Sequence, residues 1–141
     1  MRFVVLYHEM PRGAARRSHW DFMLERSGVL WTWALPRQPV RGEAMDVEAL
    51  PDHRLAYLDY EGEVSLGRGA VTRWDRGDYE VIDAPGGAAD ADRPPVMRLR
   101  LHGEQIAGEV LLTRLESKDR SGSRGDQSSR GDQWIFVWKG N

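Results

Sequence analysis

Apolar and polar residues alternate through most of this chain, and a period of two restricts it to strands. In Trp20-Asp21-Phe22-Met23-Leu24-Glu25, the residues Trp20, Phe22 and Leu24 share one face while Asp21 and Glu25 share the other. Val29, Trp31, Trp33 and Leu35 form a second apolar face, and Ser27-Gly28 between the two runs is a two-residue hairpin signal. Strands are expected over 2–7, 20–25, 29–35, 54–60, 69–74, 78–82, 96–101, 109–115 and 134–138. Tight turns are expected at Asp75-Arg76-Gly77 and His102-Gly103-Glu104. A helical pattern is read only over 43–50, stopped by Pro51. Short strands, Gly-rich turns and almost no helix predict an all-β fold. The pattern leaves two architectures, a small antiparallel β-barrel or a sandwich, with one or two short helical segments. Closing the sheet removes its edges and leaves an interior face for a small site.

The chain has 141 residues, of which 40% are hydrophobic and 30% charged, which suits one globular core spanning 1–141. Two stretches lack apolar residues to bury and are expected as flexible loops, at about 83–95 and 117–133. The second repeats Ser-Arg-Gly-Asp-Gln at 123–127 and 129–133, read as a duplicated loop insertion rather than an adhesion motif. No apolar run reaches the roughly 18–20 residues of a membrane helix. The N-terminus has one basic residue and a short apolar run but no small-residue cleavage site, so a signal peptide is not expected and a cytoplasmic protein with no membrane partner is. The net charge of −2 hides a block pattern: +4 over 1–41, −9 over 42–92 and +3 over 93–141. A phosphate-bearing partner fits the first block best.

The chain contains no Cys, which excludes disulfides, thiolate metal sites and Cys nucleophiles. A metal here must be held by His and carboxylate. His19 and Asp21 lie two apart, so on a strand they leave the same face, opposite Trp20, Phe22 and Leu24. Two imidazoles and one carboxylate make a first shell for a divalent cation with open positions. Spacing leaves two sets open: His8, Asp21 and His53, or His19, Asp21 and His53. The plainer alternative is a His19–Asp21 hydrogen bond on a wet strand face. Arg16-Arg17, just before His19, is either a phosphate-binding pair or a solvated one. No Gly-x-Ser-x-Gly elbow, P-loop or dinucleotide fingerprint is present. The six Trp residues all fall in expected strands and are read as core.

Longer motifs carry a family resemblance. Phe3-Val4-Val5 leading to His8, then Ala15-Arg16-Arg17-Ser18-His19-Trp20-Asp21-Phe22-Met23-Leu24-Glu25, resembles the 3′-phosphoesterase domain of bacterial DNA ligase D. Thr32-Trp33-Ala34-Leu35-Pro36-Arg37, Asp52-His53, Trp74-Asp75-Arg76-Gly77 and Leu101-His102-Gly103-Glu104 are similar to further motifs of that family, in the same order. The likeness runs from about residue 3 to residue 138 and suggests a short free-standing relative. It implies a small β-barrel enzyme that trims DNA 3′ ends with a divalent metal, most often Mn²⁺. Such an enzyme removes a 3′-ribonucleoside and then the exposed 3′-phosphate. By motif, the resemblance implies His8, Asp21 and His53 as metal ligands. It implies His19 and Arg37 as catalytic groups at the phosphate, with Arg16 and Arg17 as further phosphate ligands. The implied partners are DNA or DNA/RNA 3′ ends, with a ligase or polymerase supplied in trans.

The chain also departs from the pattern. The family's Arg two residues after the Asp is Met23, the Gln two before the first His is Leu6, and the Glu two before the last His is Pro51. These departures support a second expectation: a non-catalytic or repurposed metal- and phosphate-binding barrel that recruits DNA ends or a repair partner. Two His and one Asp on a β-barrel also match the iron(II) oxygenase triad, against which the length of the resemblance argues.

Overall fold

The computed structural model describes residues 1–85, 93–115 and 132–141. Nine strands run through them: β1 Arg2–Glu9, β2 His19–Arg26, β3 Val29–Leu35, β4 Ala44–His53, β5 Gly62–Glu63, β6 Ala70–Asp83, β7 Val96–Gly103, β8 Ala107–Arg114 and β9 Gln133–Gly140. A 3₁₀ turn covers Leu55–Leu58. All pairings are antiparallel, in the order β1-β2-β3-β4-β9-β8-β7-β6, and β6 pairs back onto β1. Eight strands therefore close into an antiparallel barrel, one of the two architectures the alternation allows and the one the resemblance implies, and β5 adds two residues to the rim of β6. The Ser27-Gly28 signal is borne out: both residues have positive φ, 51° and 84°, and join Arg26 to Val29.

The interior is filled. Phe3, Val5, Phe22, Leu24, Trp33, Leu35, Leu99, Leu112, Trp134 and Phe136 pack there at 1% exposure or less. Each such side chain contributes roughly 1.5–3 kcal/mol through burial. The expectation of an interior site is thereby overturned, because aromatic rings occupy that space. Phe22 meets Phe136 edge-on, and Trp33 meets Trp134 the same way.

Three local expectations are corrected. Residues 43–50 form most of β4 rather than a helix, because Met45 and Val47 are core residues and the barrel needs a strand between β3 and β9. Pro51 sits where the β3–β4 register shifts, a bulge position that tolerates a missing N–H. The expected strand over 54–60 is instead the 3₁₀ turn and its flanks. Its apolar residues cover the barrel from outside rather than line it. The expected turn at Asp75-Arg76-Gly77 lies inside β6, which pairs with β1 along its first part and with β7 along its second. Gly77 is needed there, since a Cβ would collide with the backbone O of His102.

The outer face of β1–β2–β3 is buried too. Val4, Leu6, Met23, Leu30 and Val71 point outward and are roofed by Leu58, Val64 and the half-buried Tyr57 of the 54–69 segment. That segment is tied down by Arg2 to Asp59 at 2.8 Å and by the Arg73 N–H to Glu61 Oε2 at 2.7 Å. Of the two stretches read as loose, 86–92 and 116–131 lie outside the described residues. Arg93, from the first, belongs to the body. Its guanidinium lies 4.7 Å over the Trp33 ring and donates to Thr32 O, Leu50 O and Asp52.

Candidate metal centre

Register decides which polar residues share the outer face. Opposed residues of paired strands leave the same side of the sheet. Leu6 opposes Asp21 and His8 opposes His19, so both His and the Asp stand on the outer face beside Val4 and Met23. His53 would point inward by alternation from Val47 and Ala49. The β4 bulge adds one residue, so His53 opposes outward-facing Leu30 and turns to the same side.

Asp21 is the centre of the group, at 2% exposure. Its Oδ2 lies 3.3 Å from His8 Nδ1 and its Oδ1 lies 3.0 Å from His19 Nε2. One ligand atom from each of His8, His19 and Asp21 lies within 4.8 Å of the others. The far nitrogen of each imidazole is held by a backbone carbonyl. His8 Nε2–H donates to Arg68 O at 2.7 Å, and His19 Nδ1–H donates to Arg17 O at 2.9 Å. A carbonyl only accepts, so these bonds fix the proton on the outer nitrogen and turn the inner lone pair toward the carboxylate. In a neutral site, lone pairs then face an anion. A proton or a cation between them relieves that conflict.

Two further features point to a cation. Asp21 Oδ1 is left without a hydrogen-bond partner, although His19 Nε2 stands 3.0 Å from it. Among the described buried side-chain atoms that lack a partner, it is the one carboxylate oxygen. Such an atom costs several kcal/mol unless something positive meets it. The titration behaviour agrees. Burial pushes the Asp21 carboxyl up, but the contacts with His19 and His8 more than offset it and hold it below its ordinary value. The Asp21 contact raises the His8 imidazole above its ordinary value, against the cost of burial. Two imidazoles and one carboxylate on one face, with open positions beyond, suit a divalent metal such as Mn²⁺, Fe²⁺ or Zn²⁺.

His8 and Asp21 open into a pocket of about 490 Å³, while His19 lines a neighbouring cleft. His8, Asp21, His53 and Arg54 line the pocket, with the buried Met23 and Val71 as its apolar floor and the exposed Arg16 and Arg68 at its rim. His53 Nδ1–H donates to Pro51 O at 2.9 Å, and its ring packs edge-on to Tyr57. His53, expected as third ligand, lines the pocket, and the cluster of atoms within 4.8 Å consists of His8, His19 and Asp21. Arg16 lines the pocket and reaches Glu48 at 3.4 Å. Arg17 faces a neighbouring cleft and contributes its carbonyl to His19. Arg37 is exposed just past the end of β3 and is absent from the pocket lining. Arg54 and Arg68 were not singled out by the sequence. The Gly-rich run Ser65-Leu66-Gly67-Arg68-Gly69 was the available signal for the second.

Comparison with known proteins follows this geometry. A family model described as the DNA Ligase D 3′-phosphoesterase domain matches residues 12–114. The multifunctional non-homologous end joining protein LigD of Pseudomonas aeruginosa is 34% identical over 145 residues, covering 97% of this chain and 15% of that protein. The protein of the same description from Mycobacterium bovis is 33% identical over 138 residues, covering 94% of this chain and 15% of its own length. The multifunctional non-homologous end joining DNA repair protein LigD of Mycobacterium tuberculosis gives the same identity and coverage. The chain therefore spans about 15% of the length of these curated relatives.

Proposed function

The chain belongs to the DNA ligase D 3′-phosphoesterase domain family, and from that premise we propose that it is a divalent-metal-dependent phosphoesterase acting on nucleic-acid 3′ ends in DNA repair. One observation carries the metal part of this reading: a buried carboxylate with an orphaned oxygen, set between two imidazoles whose other nitrogens are fixed by backbone carbonyls. The geometry supports His8 Nδ1, His19 Nε2 and Asp21 as the ligands, with Mn²⁺ the expected ion. When bound, the metal supplies Lewis acidity at a phosphate oxygen.

The chain's own residues do the rest. Arg68 O and Arg17 O hold the two ligand rings in the tautomer that presents a lone pair. His53, fixed at Nδ1 by Pro51 O, offers Nε2 to the reacting phosphate across the pocket. From there it orients a phosphate oxygen or carries a proton to the leaving oxygen. Arg16 at the rim adds positive charge for phosphate oxygens. The apolar floor of Met23 and Val71 excludes water below the reacting group. The substrates on this reading are DNA or DNA/RNA 3′ ends, with a ligase or polymerase acting in trans.

The test is an end-processing assay on a 5′-labelled primer–template bearing one 3′-ribonucleotide, with and without Mn²⁺. Metal-dependent shortening to a 3′-phosphate or 3′-hydroxyl is expected, with a loss of about 10²–10³ in rate for His53→Ala and no loss of bound metal. Mn²⁺ binding without any product refutes catalysis. The second reading then stands, favoured by the buried Met23 in the pocket floor: a barrel that binds ends without cutting them.

A further inference from the structure

We propose that Arg68 is the phosphate-binding cation of this site, presented to the pocket by the turn at 65–69. The proposal rests on the phosphoesterase reading above and assigns its anion subsite.

The turn has a backbone that few sequences adopt. Leu66, Gly67 and Gly69 have φ of 61°, 67° and 86°. The Val64 N–H closes it onto Gly69 O at 2.7 Å. At Gly69 the turn presses on the end of β1, so that a Cβ would collide with Glu9 O. This docking places Arg68 at the metal centre twice over. Its carbonyl accepts the proton of His8 Nε2 at 2.7 Å. Arg68 is also among the residues that line the pocket shared by His8, Asp21 and His53.

The guanidinium is also held in place before any ligand arrives. Arg68 Nε–H donates to Ser65 O at 3.0 Å, and Nη2–H donates to Ser65 Oγ at 3.3 Å. Both anchors lie on one edge of the planar group, leaving its other N–H donors for an anion. Holding a long side chain in place beforehand removes part of the entropic cost of binding. The remaining described arginines of the lining are Arg16, which reaches Glu48, and Arg54. A guanidinium beside a metal-ligating imidazole suits a phosphate that bridges the two charges. The forked donors match two oxygens of one phosphoryl group.

The test separates the carbonyl from the side chain. Arg68→Gln keeps the backbone carbonyl, so Mn²⁺ affinity by calorimetry should change less than about twofold. Inorganic phosphate is the probe, followed by ³¹P line broadening on the Mn²⁺-loaded protein, and its affinity should fall about tenfold or more. Arg68→Lys should recover part of that loss, because it keeps charge without the fork. In the end-processing assay the same variants should raise KM before they lower kcat. Arg100→Gln, exposed on β7 across the barrel, should match the parent chain in every arm. Unchanged phosphate affinity in Arg68→Gln overturns the proposal. Equal loss of Mn²⁺ and phosphate overturns it as well, since the side chain then acts only by holding the turn. A parent chain that binds no Mn²⁺ refutes the metal reading itself, and the subsite falls with it.

Discussion

Asp21 and Asp75 are both buried carboxylates, at 2% and 3% exposure, and their surroundings assign them opposite work. Asp75 accepts the backbone N–H of Glu104 at Oδ1 and that of Ile106 at Oδ2, each at 2.8 Å, and so ties down the β7–β8 turn. Asp21 meets imidazoles instead and keeps one oxygen orphaned. Asp21→Asn should therefore weaken Mn²⁺ binding by at least about 100-fold while the fold persists. Asp75→Asn should leave metal affinity alone and cost about 1–3 kcal/mol in denaturant unfolding, since an amide NH₂ then faces a backbone N–H. The pH response of the metal-free protein follows from the same residues. His8 is raised above its ordinary 6.5, so its contribution to stability is full below that value and disappears as pH rises through the raised one. Asp21 is lowered below its ordinary 3.8, so its contribution is full above that value and disappears as pH falls through the lowered one. Metal-free stability should peak in mildly acidic solution, and Mn²⁺ affinity should climb as pH rises through the His8 transition. A Mn²⁺ affinity independent of pH in that range would count against His8 as a ligand.

At the scale of elements, two irregular features assemble the site from regular strands. The β4 bulge near Pro51 switches His53 to the outer face, where unbroken alternation would bury it in the barrel. The 65–69 turn brings Arg68 to His8 across a separation of 60 residues. Gly69→Ala should push the turn off β1, because the added methyl meets Glu9 O. Its expected consequence is a roughly 10–100-fold loss of Mn²⁺ affinity through His8, with the barrel's strand content by circular dichroism unchanged. Arg93 does comparable work. It joins Thr32 O to Leu50 O and Asp52 and so braces the run that carries His53.

Over the whole molecule, closure explains why the site lies outside the barrel. Eight strands leave an interior that side chains fill, and here Trp33, Trp134, Phe22 and Phe136 fill it. A second apolar layer beneath the 54–69 segment then supplies the floor of the outer pocket. The proposed ligands come from two neighbouring strands of one closed sheet, so metal binding there would be linked to folding. Mn²⁺ at 100 times its dissociation constant should stabilise the protein by about 2.7 kcal/mol. Thermal unfolding should then shift up by roughly 5–10 °C in a single transition. A shift absent in the parent chain, or retained in Asp21→Asn, would contradict binding at this centre.

The strand pattern, the hairpin at Ser27-Gly28 and the shared face of His19 and Asp21 follow from alternation alone, because a strand's side-chain period is local. The family was legible in colinear motifs for the same reason: short runs of residues carry it. Where alternation breaks, local reading failed. The 43–50 run reads locally as a helix and 75–77 as a turn, but barrel pairing overrides such weak local preference and makes both part of strands. Spacing does not choose between His8 and His19, and it puts His53 in either ligand set. Their placement depends on register between strands and on a single extra residue in β4. Sequence determined which chemistry is available: imidazole, carboxylate and guanidinium, with no thiol. Only the tertiary structure decided which of those groups meet, because long-range pairing and the docking of a distant turn set distances that no local spacing encodes.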